Sequence, residues 1–255
     1  MELTALTWNL FRGRSQPPLR ADLLPAFAGA LAAREWDVAA LQEVPTWWPA
    51  ELARRTGASV RVARTSLARA VLAPLQAEIH RRDPERIGVR GAGVNALLVR
   101  PSAGRIDDHR TATLRWLPQR RTVHGVLLRR AAGDALWVVN VHAHNRPPAA
   151  AERDVALALA HARRWSSATP GLAGSTPAPA AAPGRALVLG DLNLRHAEAH
   201  AAAARAGLTL LAGSHVDGLL GLGVERVGEP TIDRVLLRPG GPALSDHRLV
   251  QAKVR

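Results

Sequence analysis

The chain has 255 residues, a net charge of +13 and no cysteine. That length suits one large α/β or β-sandwich domain rather than a small stapled module. The missing thiols exclude a disulfide framework, a thiolate zinc site and a cysteine nucleophile. No run reaches the roughly 18 to 20 uncharged apolar residues that cross a bilayer. The start at Met1 lacks the basic and long apolar regions of a secretory signal, so a cytoplasmic protein without a transmembrane segment is expected.

Short aliphatic or β-branched runs that end in turn residues read as strands, and amphipathic stretches between them as helices. In chain order, the pattern predicts a strand over 3–10, an Ala/Leu-faced helix over 19–34 and a strand over 38–42. A helix over 46–57 follows, with Thr46 as its cap and Pro49 in its first turn. Strands come next over 94–99, 123–128 and 135–142, then an Ala-rich helix over 149–166. Residues 168–184 are rich in Pro, Ala and Gly without periodicity and read as a flexible loop. A strand over 186–189 and a helix over 198–206, stopped by Gly207, precede strands over 216–222, 232–237 and 249–254. No repeat is visible. Many strands with a few long helices predict two packed sheets with helices outside them, in a single domain spanning 1–255.

Five of these strands deliver a polar cluster at or near one end, where rigid scaffolds present catalytic groups. Asn9 follows Leu6 and Trp8, and a buried amide needs a partner. Glu43 closes the strand that ends in Gln42, and a carboxylate there calls for a cation or a metal. Alternation puts Val139, Val141 and Ala143 on one side, and Asn140, His142 and His144 on the other. Imidazole is the usual group for moving a proton near neutral pH. Gly190 lets the chain turn so that Asp191 and Asn193 converge while Leu192 packs away. Ser245, Asp246 and His247 precede the last strand, with the adjacent acid and base pointing in different directions. A chain without cysteine offers only carboxylate, amide and imidazole ligands, which suit Mg²⁺, Mn²⁺ or Ca²⁺ better than structural zinc.

This order of clusters resembles the endonuclease/exonuclease/phosphatase superfamily of deoxyribonuclease-I-like metal-dependent phosphoesterases. The resemblance rests on TWN at 7–9, QE at 42–43, GVN at 93–95, NVH at 140–142, GDLN at 190–193 and SDH at 245–247. It spans nearly the whole chain and implies a four-layer α/β sandwich of two mixed sheets flanked by helices. It implies Asn9, Glu43 and Asp246 as ligands of Mg²⁺ (or Mn²⁺), with Asp191 activating water, Asn193 holding phosphate and His247 acting as base or phosphate stabiliser. His142 would stabilise the phosphoryl oxygens or protonate the leaving group. Asn95 and His144 would lie near the substrate. The partner aspartate of His247 is either Asp217 or Asp233, and Asp217 is favoured because it leaves room for two strands before SDH.

The resemblance thus predicts a metal-dependent phosphoester hydrolase, with water attacking phosphorus in line. Nucleic acid (DNA or RNA) is one substrate class, a lipid or small phosphoester a second. A non-catalytic basic nucleic-acid-binding module is a further alternative. The basic charge is almost all arginine, since Lys253 is the only lysine. It fits a polyanion partner and equally a bias that enriches Arg, Ala, Gly and Pro together. With no tyrosine and two phenylalanines, base stacking would fall to tryptophan; Trp47 and Trp48 are the best placed, although packing of their helix explains them too. No oligomerisation signal is visible, and a monomer is expected.

Overall fold

The computed structural model describes residues 2–65, 73–83, 93–117, 119–129, 134–167 and 184–255. Of the loop expected over 168–184, all but Gly184 lies outside them. The chain forms two mixed six-stranded sheets packed face to face. The first holds β1 (Leu3–Asn9), β2 (Val38–Pro45), β3 (Ser59–Arg64), β4 (Gly93–Val99), β11 (Arg226–Asp233) and β12 (Leu249–Val254), in the order β11-β12-β1-β2-β4-β3. The second holds β5 (Arg105–Arg115), β6 (Arg121–Arg129), β7 (Ala135–His142), β8 (Ala186–Asp191), β9 (Thr209–Ser214) and β10 (Asp217–Leu222), in the order β5-β6-β7-β8-β10-β9. Each sheet has one parallel pair, β1 with β2 and β7 with β8. Helices α1 (Leu24–Ala32) and α2 (Trp48–Thr56) cover the outer face of the first sheet. Helix α3 (Ala73–Arg82) precedes β4. Helices α4 (Pro148–Ser167) and α5 (His196–Arg205) cover the outer face of the second sheet. None of the described helices is long and apolar enough to cross a membrane.

Period-two alternation divides each strand between two cores. Leu3 and Ala5 of β1 meet Leu187 and Leu189 of β8 in the layer between the sheets, while Leu6 and Trp8 pack outward on Phe27 and Trp48. In the second sheet Val138 points inward, and Val139 and Val141 pack outward on α4. Both strand sides are therefore buried, which is why these runs read as continuously apolar. Each fully buried leucine contributes about 1.5–3 kcal/mol.

The same alternation sets up the site. Followed toward one end of the sandwich, the inward positions change from aliphatic to polar: Thr7 and Asn9 on β1, Gln42 on β2, Asn95 on β4, Thr122 and His124 on β6, Asn140 and His142 on β7, Asp191 on β8 and Asp217 on β10. All ten are buried.

Three strands carry no strand signal in the reading from sequence: β3, β5 and β9. The strand expected over 232–237 is β11, which runs Arg226–Asp233; beyond Asp233 only Leu236 forms an isolated bridge, to Ala243. Helix α3 likewise lies where the sequence pattern predicts no element. Thr46 does not cap α2, whose N-cap is Trp47, and its Oγ1 is buried without a partner among the described residues. Helix α1 begins at Leu24, five residues later than expected, with Pro25 in its first turn and Asp22 Oδ1 accepting the Leu24 N–H at 3.0 Å.

Candidate active site

Asp191 is the hub. It is buried at the end of β8, and its Oδ2 accepts the Asn9 amide N–H at 3.0 Å from the opposite sheet. The same oxygen lies 3.5 Å from His142 Nε2 and 3.8 Å from His247 Nε2. Its Oδ1 accepts the backbone N–H of Asn193 at 3.1 Å, closing an Asx turn. Asn193 takes a left-handed φ of +50° there and donates its amide to the Ala143 carbonyl at 2.9 Å. Gly190 makes the hub possible. Its φ is +152°, and a Cβ at this position would sit 1.8 Å from the Val141 carbonyl oxygen, so only glycine lets β8 lie this close to β7.

The second cluster grows from the turn before β12. Ser245 Oγ donates to the Asn9 carbonyl at 2.7 Å and accepts the His247 backbone N–H at 3.1 Å, tying this turn to the end of β1. His247 Nδ1 then meets Asp217 Oδ2 at 2.9 Å and Oδ1 at 3.1 Å. Asp233, the alternative partner, pairs with Arg34 at the half-exposed edge of the first sheet. Asp246 Oδ1 lies 3.9 Å from His247 Nε2.

Glu43 completes the ring. Its backbone is left-handed (φ +49°) at the irregularity in the β2–β4 pairing, a conformation that concentrates at functional sites. Its carboxylate reaches Arg12 Nε at 3.3 Å and His142 Nε2 at 3.9 Å. Asn9, Glu43, His142, Asp191, Asp217, Asp246 and His247 are thus linked by contacts under 4 Å, although they come from both sheets and from residues 9 to 247.

Behind this ring, Gln42 Nε2 donates to Asn140 Oδ1 at 2.9 Å, and the Asn140 amide donates to the Leu41 and Ala96 carbonyls at 3.0 Å each, locking the two sheets together. Asn95 is buried in this layer, its Nδ2 3.5 Å from the Thr122 carbonyl and its Oδ1 without a partner among the described residues. His144 is also buried; its backbone N–H donates to Asp154 Oδ2 at 3.0 Å, and its Nδ1 has no partner among the described residues. Trp48 is fully buried and Trp47 packs beside it against the outer core, so of the two readings of this pair helix packing holds.

One residue of the site escaped the sequence. Arg121 is 7 % exposed, and its guanidinium lies 3.2 Å from both ring nitrogens of His142. Nothing in a chain so rich in arginine marks this one. Its only signal is position, at the start of the strand paired with β7.

The electrostatics are uneven. Burial, then the neighbouring Asp217 charge, raises the Asp191 carboxyl. Burial also raises Asp217, against the opposing effect of His247. Burial alone would lower the His247 imidazole, but the hydrogen bond and charge of Asp217, then Asp191 and Asp246, push it up to about 10. His142 goes the other way, lowered well below the usual range by burial and then by Arg121.

The donor set suits a hard cation. Glu43 and Asp246 are partly exposed oxygen donors at the mouth, and Asn9 Oδ1 accepts the Phe11 N–H at 2.9 Å with a second lone pair left over. Among the described residues, one group of three side chains, Asp191, Asp217 and His247, has ligand-type atoms all within 4.8 Å of one another. Two buried carboxylates so close together favour a neighbouring positive charge.

Two packed mixed sheets between helices, with strand-end carboxylates and histidines meeting in one mouth, define the architecture of deoxyribonuclease-I-like proteins. No protein-family model matches the chain, and no curated protein matches it by sequence. Solved structures do match. An endonuclease/exonuclease/phosphatase from Bacteroides vulgatus aligns over 100% of this chain and 99% of its own, with a TM-score of 0.69 and 15% identity. One from Beutenbergia cavernae aligns over 100% of this chain and 71% of its own, at 0.68 and 15%. A humanized TDP2 from D. rerio aligns over 100% and 99%, at 0.63 and 16%. The chain has the fold of the endonuclease/exonuclease/phosphatase superfamily, as its motifs led one to expect.

Proposed function

We propose that the protein is a divalent-metal-dependent phosphodiesterase and that a nucleic-acid strand is its substrate. The observation that carries this reading is the junction at Asp191, where Asn9, His142 and His247 meet one carboxylate from three different strand ends or turns. Such convergence supports a site in which acid, base and charge would surround one phosphorus atom. In this reading Glu43, Asp246 and Asn9 hold Mg²⁺ or Mn²⁺. We favour them over the tight group of Asp191, Asp217 and His247 because the latter are already engaged, Asp217 with His247 Nδ1 and Asp191 with the Asn9 amide and the Asn193 N–H. The cation supplies charge that polarises the phosphoryl group and offsets the negative charge building there.

The chain's own groups do the rest. Asp191 orients a water molecule and takes its proton as the new P–O bond forms in line with the one that breaks. Asp217 holds His247 so that Nε2 faces the hub, where it steadies a phosphoryl oxygen. His142, with Arg121 against its ring, faces the remaining phosphoryl oxygens, and the Asn193 turn holds the phosphate on the β8 side. The leaving oxygen departs and takes a proton from water. Asn95 and His144 support this ring from behind.

The test is hydrolysis of bis-p-nitrophenyl phosphate and of plasmid DNA with Mg²⁺ or Mn²⁺. Turnover is expected with the metal and none with EDTA, and a His247→Ala protein serves as the blank. Turnover that survives EDTA, or tight DNA binding without turnover on either substrate, rules the reading out.

A further inference from the structure

We propose that the hairpin joining β5 to β6 is a second contact for the substrate, in which the indole of Trp116 stacks on an unpaired nucleobase beside the phosphodiester being cut. This rests on the phosphodiesterase reading and adds the form of its substrate, a single strand.

Arg115 closes β5 and pairs in register with Arg121, which opens β6, so Trp116 stands on the turn between them. Both arms of the hairpin are tied to the site. Arg121 sits 3.2 Å from the His142 ring. Arg115 Nε donates to Asp154 Oδ1 at 3.3 Å, and the other oxygen of Asp154 takes the backbone N–H of His144. Two interstrand spacings separate β5 from β7, roughly 10 Å. The turn is therefore part of the rim of the site.

At that rim the chain presents an indole. Trp116 is 64 % exposed and Leu117 is 79 % exposed. The other tryptophans (Trp8, Trp36, Trp47, Trp48, Trp137 and Trp165) all pack in or against the apolar cores. Trp116 is held in place without being covered: the Arg120 guanidinium carbon lies 4.8 Å from its ring centroid, and Arg120 Nη2 donates to Thr113 Oγ1 at 3.3 Å. An aromatic face braced by arginine, a short step from a phosphate site in a chain of net charge +13, is the combination that binds single-stranded nucleic acid by stacking and charge together. Bases inside a duplex have both faces covered, so a lone indole selects an unpaired or frayed base.

The experiment uses the full chain, a short single-stranded oligonucleotide, the same strand made abasic near the cut, and bis-p-nitrophenyl phosphate. Trp116→Ala is expected to raise KM on the oligonucleotide about tenfold relative to KM on the small diester, with kcat on the strand changed less than about twofold. Trp116→Phe restores most of the loss. On the abasic strand the wild-type protein already shows the weaker KM, and Trp116→Ala adds nothing further. An unchanged KM on the oligonucleotide, or the same rise on the intact and abasic strands, overturns the stacking role while leaving the phosphodiesterase reading in place. Absence of metal-dependent turnover by the wild-type protein on every substrate overturns that reading, and this one with it.

Discussion

The layer between the two sheets has two ends built from the same strands and the same alternation, yet they do different work. At one end Leu3, Ala5, Val38, Leu97, Leu187 and Val254 face each other and exclude water. At the other, the next inward positions of those or neighbouring strands are Asn9, Gln42, Asn95, Asn140, Asp191 and Asp217, which bond across the gap. Rigidity and chemistry are therefore supplied by different stretches of the same strands. The aliphatic end holds the register that brings groups from residues 9 and 247 together. The polar end spends burial on groups that water would otherwise solvate. Substitutions should separate along that division.

The largest expected effect is at the polar end. Asp217→Asn weakens the grip on His247 Nδ1 and should lower kcat on bis-p-nitrophenyl phosphate by about 10² to 10⁴, with little change in melting temperature. Asp233→Asn, whose partner is Arg34 at the edge of the first sheet, should leave kcat within about twofold. A reversed pattern would move the dyad to Asp233 and remove the role given to Asp217.

The aliphatic end should respond in the opposite way. Leu187→Ala opens a cavity among fully buried neighbours and should destabilise by about 2–5 kcal/mol, lowering Tm by roughly 5–15 °C. Its kcat, measured well below Tm, should stay within about threefold. A loss of activity as large as that of Asp217→Asn would show that the two ends are not separable. Between them stands Gly190, where both demands meet. Gly190→Ala should lower Tm and kcat together, because the added carbon displaces β7 at Val141.

How far this division is legible in the sequence depends on burial. All eight strands with two neighbours (β1, β2, β4, β6, β7, β8, β10 and β12) carry apolar runs that betray them, because both of their edges are covered and, apart from Gln251 and Lys253 on the outer side of β12, most of both faces. The strands that were missed are sheet edges: β3, β5 and β9. The fourth edge, β11, was misplaced by several residues. An edge strand buries less of itself and tolerates charge, as in Arg105–Arg115, with its two arginines, two aspartates and a histidine before Thr111. The polar clusters were readable for the converse reason, since an amide or carboxylate closing an apolar strand breaks a pattern. Arg121 and Trp116 broke none. Each matters through what the β5–β6 hairpin brings it next to, and that pairing is long-range information.

The smallest effect tests the polar end away from the catalytic ring. His124 lies on its inward face, fully buried; its Nδ1 is 3.3 Å from His109 Nε2, and its Nε2 has no partner among the described residues. Burial, and then His109, lowers its pKa to about 3. His109 is itself lowered, by burial and by Arg61, with Asp108 opposing. In the unfolded chain an imidazole titrates near 6.5. Between about pH 3 and 6.5 the unfolded state thus binds the extra proton, so the folded state loses stability as pH falls through that window and gains nothing from this group above it. The loss attributable to His124 approaches about 1.4 kcal/mol per pH unit in the middle of the window. Urea unfolding at intervals from pH 4 to 7 should show His124→Gln losing stability on acidification less steeply than the wild type, by up to one proton, with the two curves parallel above pH 7. Equal slopes would mean that the imidazole is charged in the folded protein, which would require a counter-charge or water beside Nε2 and would make this part of the layer wetter than the ring in front of it.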